Sequence, residues 1–369
     1  MEELRNKKTF NGGLIVSIKG EIMVPPAEEP PKDLHFLSNL DMVVLMMDTL
    51  WCFNKTIDVG GLDAAQVLKD GEGTLFVEAE ANLMLDEIGD FTKPDPVTYG
   101  ELVYRLLDPK NILQNPLLVA QVTKFKCGGF VLGMSWNHFV ADGISMTEYM
   151  KSWAKVTRGL PLSNPPFLDR TVLKARNPPK VEFTHEYEDI VDVSNTEAIF
   201  KRKKGITKSF IFHPEDLEKL KKKYMEDGVL QRCSSFEVLA ALMWRARTQS
   251  LRYNLDQQVR IQFAFDARSR IYPRFAKGYF GNAFLTMNFQ CSASELLDSP
   301  LSSTIERIQR SIQMVTDDYV KSTIDYLEEP KLIQPHSSTV FLSAWSKLGF
   351  NSVDFGWGKP FFIGRITKA

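Results

Sequence analysis

The segment GGFVLGMSWNHFVADGISMTEYMKSWAKVTRG, residues 128–159, changes its apolar period part-way along. Phe130, Leu132, Met134 and Trp136 alternate with other residues, which predicts a strand with one apolar face. Ile144, Met146, Tyr149, Met150 and Trp153 then follow at helical spacing until Gly159, a helix stop. Between the two patterns lie His138, just past the strand end, and Asp142, where the helix needs an N-cap. A strand, a short turn and a helix in succession point to an α/β or α+β layer architecture. Two readings of the turn are open. In one, Asp142 caps the helix and His138 is a polar loop residue. In the other, His138 takes a proton from a hydroxyl that attacks an acyl carbon, work suited to an imidazole of near-neutral pKa. The neighbouring helix N-terminus would keep such a base neutral, and Asp142 would orient its ring or hold the loop in shape.

Composition narrows the setting. A chain of 369 residues with 44% hydrophobic content and a net charge of -1 has enough material for about two domains. Its charge gives no general attraction to nucleic acid or anionic membrane, so no nucleic-acid partner is expected. Cys52, Cys127, Cys233 and Cys291 stand far apart, with no CxxC pair and no metal-ligand spacing. A reduced, cytosolic setting and no bound metal are therefore expected. The N-terminus lacks the apolar core of a secretory signal. The stretch LDMVVLMMDTLWCF carries Asp41 and Asp48 and is too short to span a bilayer.

Residues 159–192 hold two Pro-Pro pairs and then an acidic run, which predicts an extended, poorly packed crossover. Beyond it, HPEDLEKLKKKYMED and SSFEVLAALMWRARTQSL read as helices and VRIQFAFDAR as a strand. SSTIERIQRSIQMVTDDYVKSTIDYLEE reads as one long helix, and STVFLSAWS as a strand. The expected division is residues 1–160, a linker over 161–204, and residues 205–369. The basic runs KRKKG (201–205) and KLKKKY (219–224) read as solvated faces, because Glu215 with Lys219 and Glu218 with Lys222 make ordinary helix pairs.

The chemistry is bounded by what is missing. No GxSxG elbow occurs and no cysteine has a recognisable nucleophile context, so transfer without a covalent intermediate is expected. A DFG triplet at 354–356 has neither a glycine-rich loop nor an HRD loop to accompany it, and no P-loop motif is present. Phosphoryl transfer is excluded on that pattern.

DFGWG at 354–358, with HFVADG at 138–143 upstream, resembles the plant BAHD acyltransferase family, defined by HxxxD and DFGWG motifs. LSNLD (37–41), SSFEVLAALMWRAR (234–247), FDARSR (265–270) and GYFGN (278–282) resemble the same family. The resemblance implies two chloramphenicol-acetyltransferase-like domains, each a mixed β-sheet with flanking helices, and an active-site channel between them. It implies His138 as general base in a ternary complex of acyl-CoA and acceptor alcohol, with no permanently bound cofactor and a monomeric state. It implies an Asp142–Arg268 pair that is structural, and a DFGWG motif (Asp354, Gly356, Trp357 and Gly358) that shapes the fold. Ser343 and Trp345, expected on a strand before DFGWG, match the positions that face the thioester carbonyl in hydroxycinnamoyl transferases of the family. Ser235, at a helix start, and Asn282, in GYFGN, are the expected contacts to CoA. Several stretches look most like the family's omega-hydroxypalmitate O-feruloyl transferases of suberin synthesis, which implies feruloyl transfer to an omega-hydroxy fatty acid or fatty alcohol.

Two departures stand against that pattern. About three dozen residues that family members carry are missing where LDAAQVLKD runs into GEGTLFVEAEA, and the text stops at Ala369, soon after Gly358. An active transferase and an inactive or accessory product of a truncated gene are both consistent with these features.

Overall fold

The computed structural model describes residues 13–25, 36–41, 46–54, 73–105, 116–162, 164–184, 190–196, 207–328 and 337–366. The junction between LDAAQVLKD and GEGTLFVEAEA and the KRKKG run lie outside these residues.

The strand read over Phe130 to Trp136 is β5, Phe130–Asn137, and it is central in a six-stranded sheet. Its companions are β1 (Val16–Val24), β2 (Met46–Phe53), β3 (Thr74–Ala81), β4 (Leu118–Lys124) and β9 (Phe362–Arg365), in the order β1-β3-β4-β5-β2-β9. All pairings are antiparallel except β3 with β4. Phe130, Leu132, Met134 and Trp136 share one face as expected, and the opposite face, Val131, Gly133, Ser135 and Asn137, is buried as well. Phe130, Leu132, Met134 and Trp136 pack with Met146, Met150 and Trp153, whereas Val131 lies in a separate cluster with Tyr99 and Leu102. The second cluster comes so close that a Cβ on Gly133 would sit 1.9 Å from the Leu102 carbonyl oxygen. Gly133→Ala is therefore expected to cost about 1–3 kcal/mol of stability, read as a lowered midpoint in urea unfolding.

After β5, the helix α2 (Gly143–Val156) follows the five-residue α1 (Pro96–Gly100) in chain order. Asp142 is its N-cap and accepts from the Ser145 N–H at 3.0 Å. The second half of the chain supplies α3 (Pro214–Met225), α4 (Ser235–Leu251), β6 (Gln258–Asp266), β7 (Phe284–Ser292), α5 (Ala293–Asp298), α6 (Leu301–Gln313), α7 (Asp317–Tyr326) and β8 (Thr339–Leu342). Strands β7-β6-β8 form a three-stranded mixed sheet. Trp244 of α4, Phe263 of β6 and Ile305 of α6 share the core that covers it. The chain then returns to the first sheet, where β9 pairs antiparallel with β2. The last strand, which lies within the residues 205–369 expected to form the second domain, thus joins the first sheet.

Three expectations need correction. The long helix over 302–329 is two helices, because Thr316 is extended and its hydroxyl accepts from the Tyr319 N–H at 3.2 Å, with Asp317 and Asp318 in the new first turn. Thr-Asp-Asp is a helix start signal strong enough to interrupt the apolar period. The strand over STVFLSAWS ends at Leu342, so Ser343 and Trp345 lie beyond it. The crossover, expected to be poorly packed, buries Arg170 and Leu173 and fixes Arg176 to Asp325, Nε to Oδ2 at 2.6 Å. Among the described residues, no helix is long and apolar enough to cross a membrane.

Candidate active site

The turn between β5 and α2 lies on the seam between the two halves of the molecule. Asp142, besides capping α2, receives both terminal nitrogens of Arg268, Nη1 to Oδ2 at 2.8 Å and Nη2 to Oδ1 at 2.9 Å. The Ala283 N–H, at the entry to β7, donates to the same carboxylate at 3.1 Å. Arg268 also donates to the Gly281 carbonyl at 3.0 Å and to Ser145 Oγ at 3.1 Å. The Asp142 carboxylate is thus filled by donors from both halves. It is committed to holding them together.

The His138 ring meets Phe284 of β7 edge to face at 5.5 Å. Burial pulls its pKa below the ordinary imidazole value, while the Asp142 carboxylate, the residue's own backbone and the Asn282 side chain raise it and Arg365 of β9 lowers it further. Burial wins, and the ring is neutral at pH 7, the state a general base requires. Its Nδ1 is buried without a hydrogen-bond partner.

Sequence reading missed what lies beneath this turn. Asp41, wholly buried, pairs with Arg170 at 2.9 Å. Arg170 Nη1 donates to the Phe139 carbonyl at 3.2 Å and Nη2 to the Val140 carbonyl at 2.8 Å. Asn282, also wholly buried, turns its Nδ2 to the His138 carbonyl at 2.7 Å and to Asp41 Oδ1 at 2.9 Å. Asn282 was expected to contact CoA. The structure instead spends its amide N–H groups on the histidine turn and on Asp41, which leaves them none for a ligand. LSNLD marked Asp41 as a family-like position, but no local pattern marks Arg170, which stands in a Pro-rich crossover.

Other expected residues lie at the margin of this assembly. Trp345 Nε1 donates to Ser343 Oγ at 3.1 Å, and its ring packs against Phe350. Leu348, in the same segment, closes on the start of α2, where a Cβ on Gly143 would meet it at 2.6 Å. In DFGWG, Asp354 Oδ1 accepts from the Gly356 and Gly358 N–H groups at 2.8 and 2.9 Å, and both glycines have φ near +100° (100° and 98°). Phe355 and Trp357 of that turn pack on Trp153 and Phe130, so the motif braces α2 and β5 from behind. Ser235 opens α4, but the N–H groups beside it are occupied: Glu237 N donates to Ser234 Oγ and Ser234 N to Glu237 Oε2. Among the described residues no group of three or more His, Cys, Asp or Glu side chains could hold a metal ion.

Comparison with known proteins agrees with this geometry. Residues 63–369 match the family described as the Transferase family. The chain belongs to this family, that of the BAHD acyltransferases. It is 44% identical to the omega-hydroxypalmitate O-feruloyl transferase of Arabidopsis thaliana, over 98% of this chain and 86% of that protein. The match runs over 396 residues, more than the 369 of this chain, so the relative carries residues within the matched span that this chain lacks. A fatty alcohol:caffeoyl-CoA acyltransferase of the same plant is 39% identical over 96% of this chain and 89% of its own length. In fold, the BAHD transferase chain is similar to vinorine synthase, with a TM-score of 0.70 over 95% of this chain and 89% of that one at 18% identity. It is also similar to TRI101 of F. sporotrichioides in complex with coenzyme A and T-2, with a TM-score of 0.64 over 90% of this chain and 89% of that one at 16% identity. The BAHD chain is thus an acyltransferase of the two-lobed, chloramphenicol-acetyltransferase-like fold.

Proposed function

We propose that this acyltransferase moves a hydroxycinnamoyl group, feruloyl first among them, from acyl-CoA to the terminal hydroxyl of an omega-hydroxy fatty acid or a fatty alcohol. The observation that carries the mechanism is a histidine kept neutral by burial on the seam where both halves of the fold bond to its turn. With both substrates bound, His138 Nε2 accepts the acceptor's hydroxyl proton as the oxygen bonds to the thioester carbon. The carbon–sulfur bond then breaks, and the proton passes from His138 to the departing CoA thiolate. The indole of Trp345 donates to Ser343 Oγ, which leaves the serine's own hydrogen free for the developing oxyanion. Ser235, through its hydroxyl, is the candidate contact to CoA. The acyl donor and the aliphatic acceptor follow the printed activities of the two plant relatives. A monomer in the cytoplasm is the matching setting.

A second reading, an inactive or accessory protein, is favoured by the residues that the omega-hydroxypalmitate O-feruloyl transferase carries and this chain lacks. Purified protein given feruloyl-, caffeoyl- and coumaroyl-CoA with omega-hydroxypalmitate or a long-chain alcohol separates the two. Ester formation supports transfer, and none from any pair supports the second reading. For the active enzyme, kcat/KM should fall on the acid side as His138 gains a proton. The midpoint of that fall should lie below the ordinary imidazole value, in the direction burial imposes.

A further inference from the structure

The three carbonyls that follow one another through the histidine turn are all held by buried side chains. Asn282 Nδ2 takes His138 at 2.7 Å and reaches Phe139 at 3.2 Å, and the Arg170 fork takes Phe139 at 3.2 Å and Val140 at 2.8 Å. Asp41 joins the two donors, at 2.9 Å from Arg170 Nη1 and 2.9 Å from Asn282 Nδ2. Its second oxygen is fixed by the Ser38 N–H at 2.7 Å and hydroxyl at 2.9 Å. Gly281 keeps the space: a Cβ there would lie 2.7 Å from Arg170 Nε. Leaving an ion pair dry is costly, and three carbonyls could have been satisfied by water at a surface turn.

We infer that Asp41, Arg170 and Asn282 form a clasp that positions His138 for proton transfer. The inference rests on the reading of His138 as the base. Asp41 precedes β2, Arg170 lies in the crossover, and Asn282 precedes β7, so the clasp ties the turn to three separate parts of the chain. Removing the Arg170 fork frees the Val140 carbonyl and leaves Phe139 to the 3.2 Å contact from Asn282 alone, which lets the ring drift, and small misplacements of a catalytic group are expensive. Asn282 has a second part to play. Its Oδ1 and His138 Nδ1 are both buried without partners, while its Nδ2 already holds the His138 carbonyl. For Nε2 to be free to take the substrate proton, Nδ1 must carry the ring's hydrogen before the transfer as well as after it, and the amide oxygen is the acceptor the clasp supplies for it.

The test compares Arg170→Lys, which keeps the charge facing Asp41 but not the fork, with Asn282→Ala and His138→Ala in the full chain. Feruloyl-CoA and omega-hydroxypalmitate serve as substrates, with the wild-type ester yield as reference. Both clasp variants should lower kcat by about 10- to 100-fold, the scale of a misplaced group, while KM for feruloyl-CoA changes less than twofold. The acid limb of kcat/KM should move up toward the ordinary imidazole value, because a loosened turn admits water to His138. The charged groups around that ring are Asp142 with its partner Arg268, Arg365 of β9, and the Asp41–Arg170 pair, and Arg170→Lys leaves all of these charges in place. Wild-type kcat and an unmoved acid limb in either folded variant overturn the clasp. So does a lowered Tm as the sole change, which assigns these residues to scaffolding. His138→Ala keeps the two claims apart: wild-type turnover in that variant removes the base itself, whereas an inactive His138→Ala beside an unchanged Arg170→Lys removes the clasp alone.

Discussion

His138→Ala is expected to lower kcat for ester formation by about 10² to 10⁴, the usual contribution of a positioned general base. The fall should appear in kcat and kcat/KM together, with KM for the acyl-CoA little changed, because the imidazole acts on the transferring proton and not on the thioester. The melt should stay cooperative. His138 makes no hydrogen bond through its buried Nδ1, and the contacts that hold its turn run through the backbone carbonyl, which alanine keeps. A variant with wild-type turnover would place the base elsewhere and return His138 to the role of a polar turn residue.

Arg268→Ala is expected to act on stability first, by about 3–5 kcal/mol, since it strands a buried carboxylate whose charge partner has gone. Asp142 would retain only the Ser145 and Ala283 N–H groups, which satisfy its oxygens but not its charge. The same substitution removes the donors to Gly281 and Ser145, so the tie between α2 and the approach to β7 weakens as well. Denaturant midpoints measure the loss. Asp142→Asn in the Arg268→Ala background should recover part of it, because the uncompensated charge is then absent, whereas two independent sites would simply add. A loss below about 1 kcal/mol in Arg268→Ala would mean that the pair behaves as an exposed one.

The parts of this site that were legible in the sequence are those with a local signature. The change of period from two to 3.6 across residues 128–159 located β5, α2 and the turn between them, and the capping preference of aspartate located Asp142. Asp354 could be assigned to architecture by resemblance, and its hydrogen bonds to two glycine N–H groups give the physical cause. The parts that were not legible depend on partners distant in the chain. Nothing in the text around Arg170 distinguishes an arginine that will be buried against Asp41 from one that covers a surface, and prolines on either side suggested the surface. Asn282 was visible as part of GYFGN, yet the short text does not say whether its amide meets a ligand or a backbone. The break at Thr316 was a different kind of miss. The cap signal at Thr316 lies within an apolar period that continues on both sides of it, so the period alone does not reveal the break.

The most direct measurement is of ester and free CoA formed from feruloyl-CoA and omega-hydroxypalmitate, with the intact mass of the protein followed in the same reaction. Direct transfer in a ternary complex predicts one free CoA for each ester, no CoA release above background until the alcohol is added, and no feruloyl adduct on the protein. A stable acyl adduct formed from feruloyl-CoA alone, or CoA release without ester when both substrates are present, would contradict it.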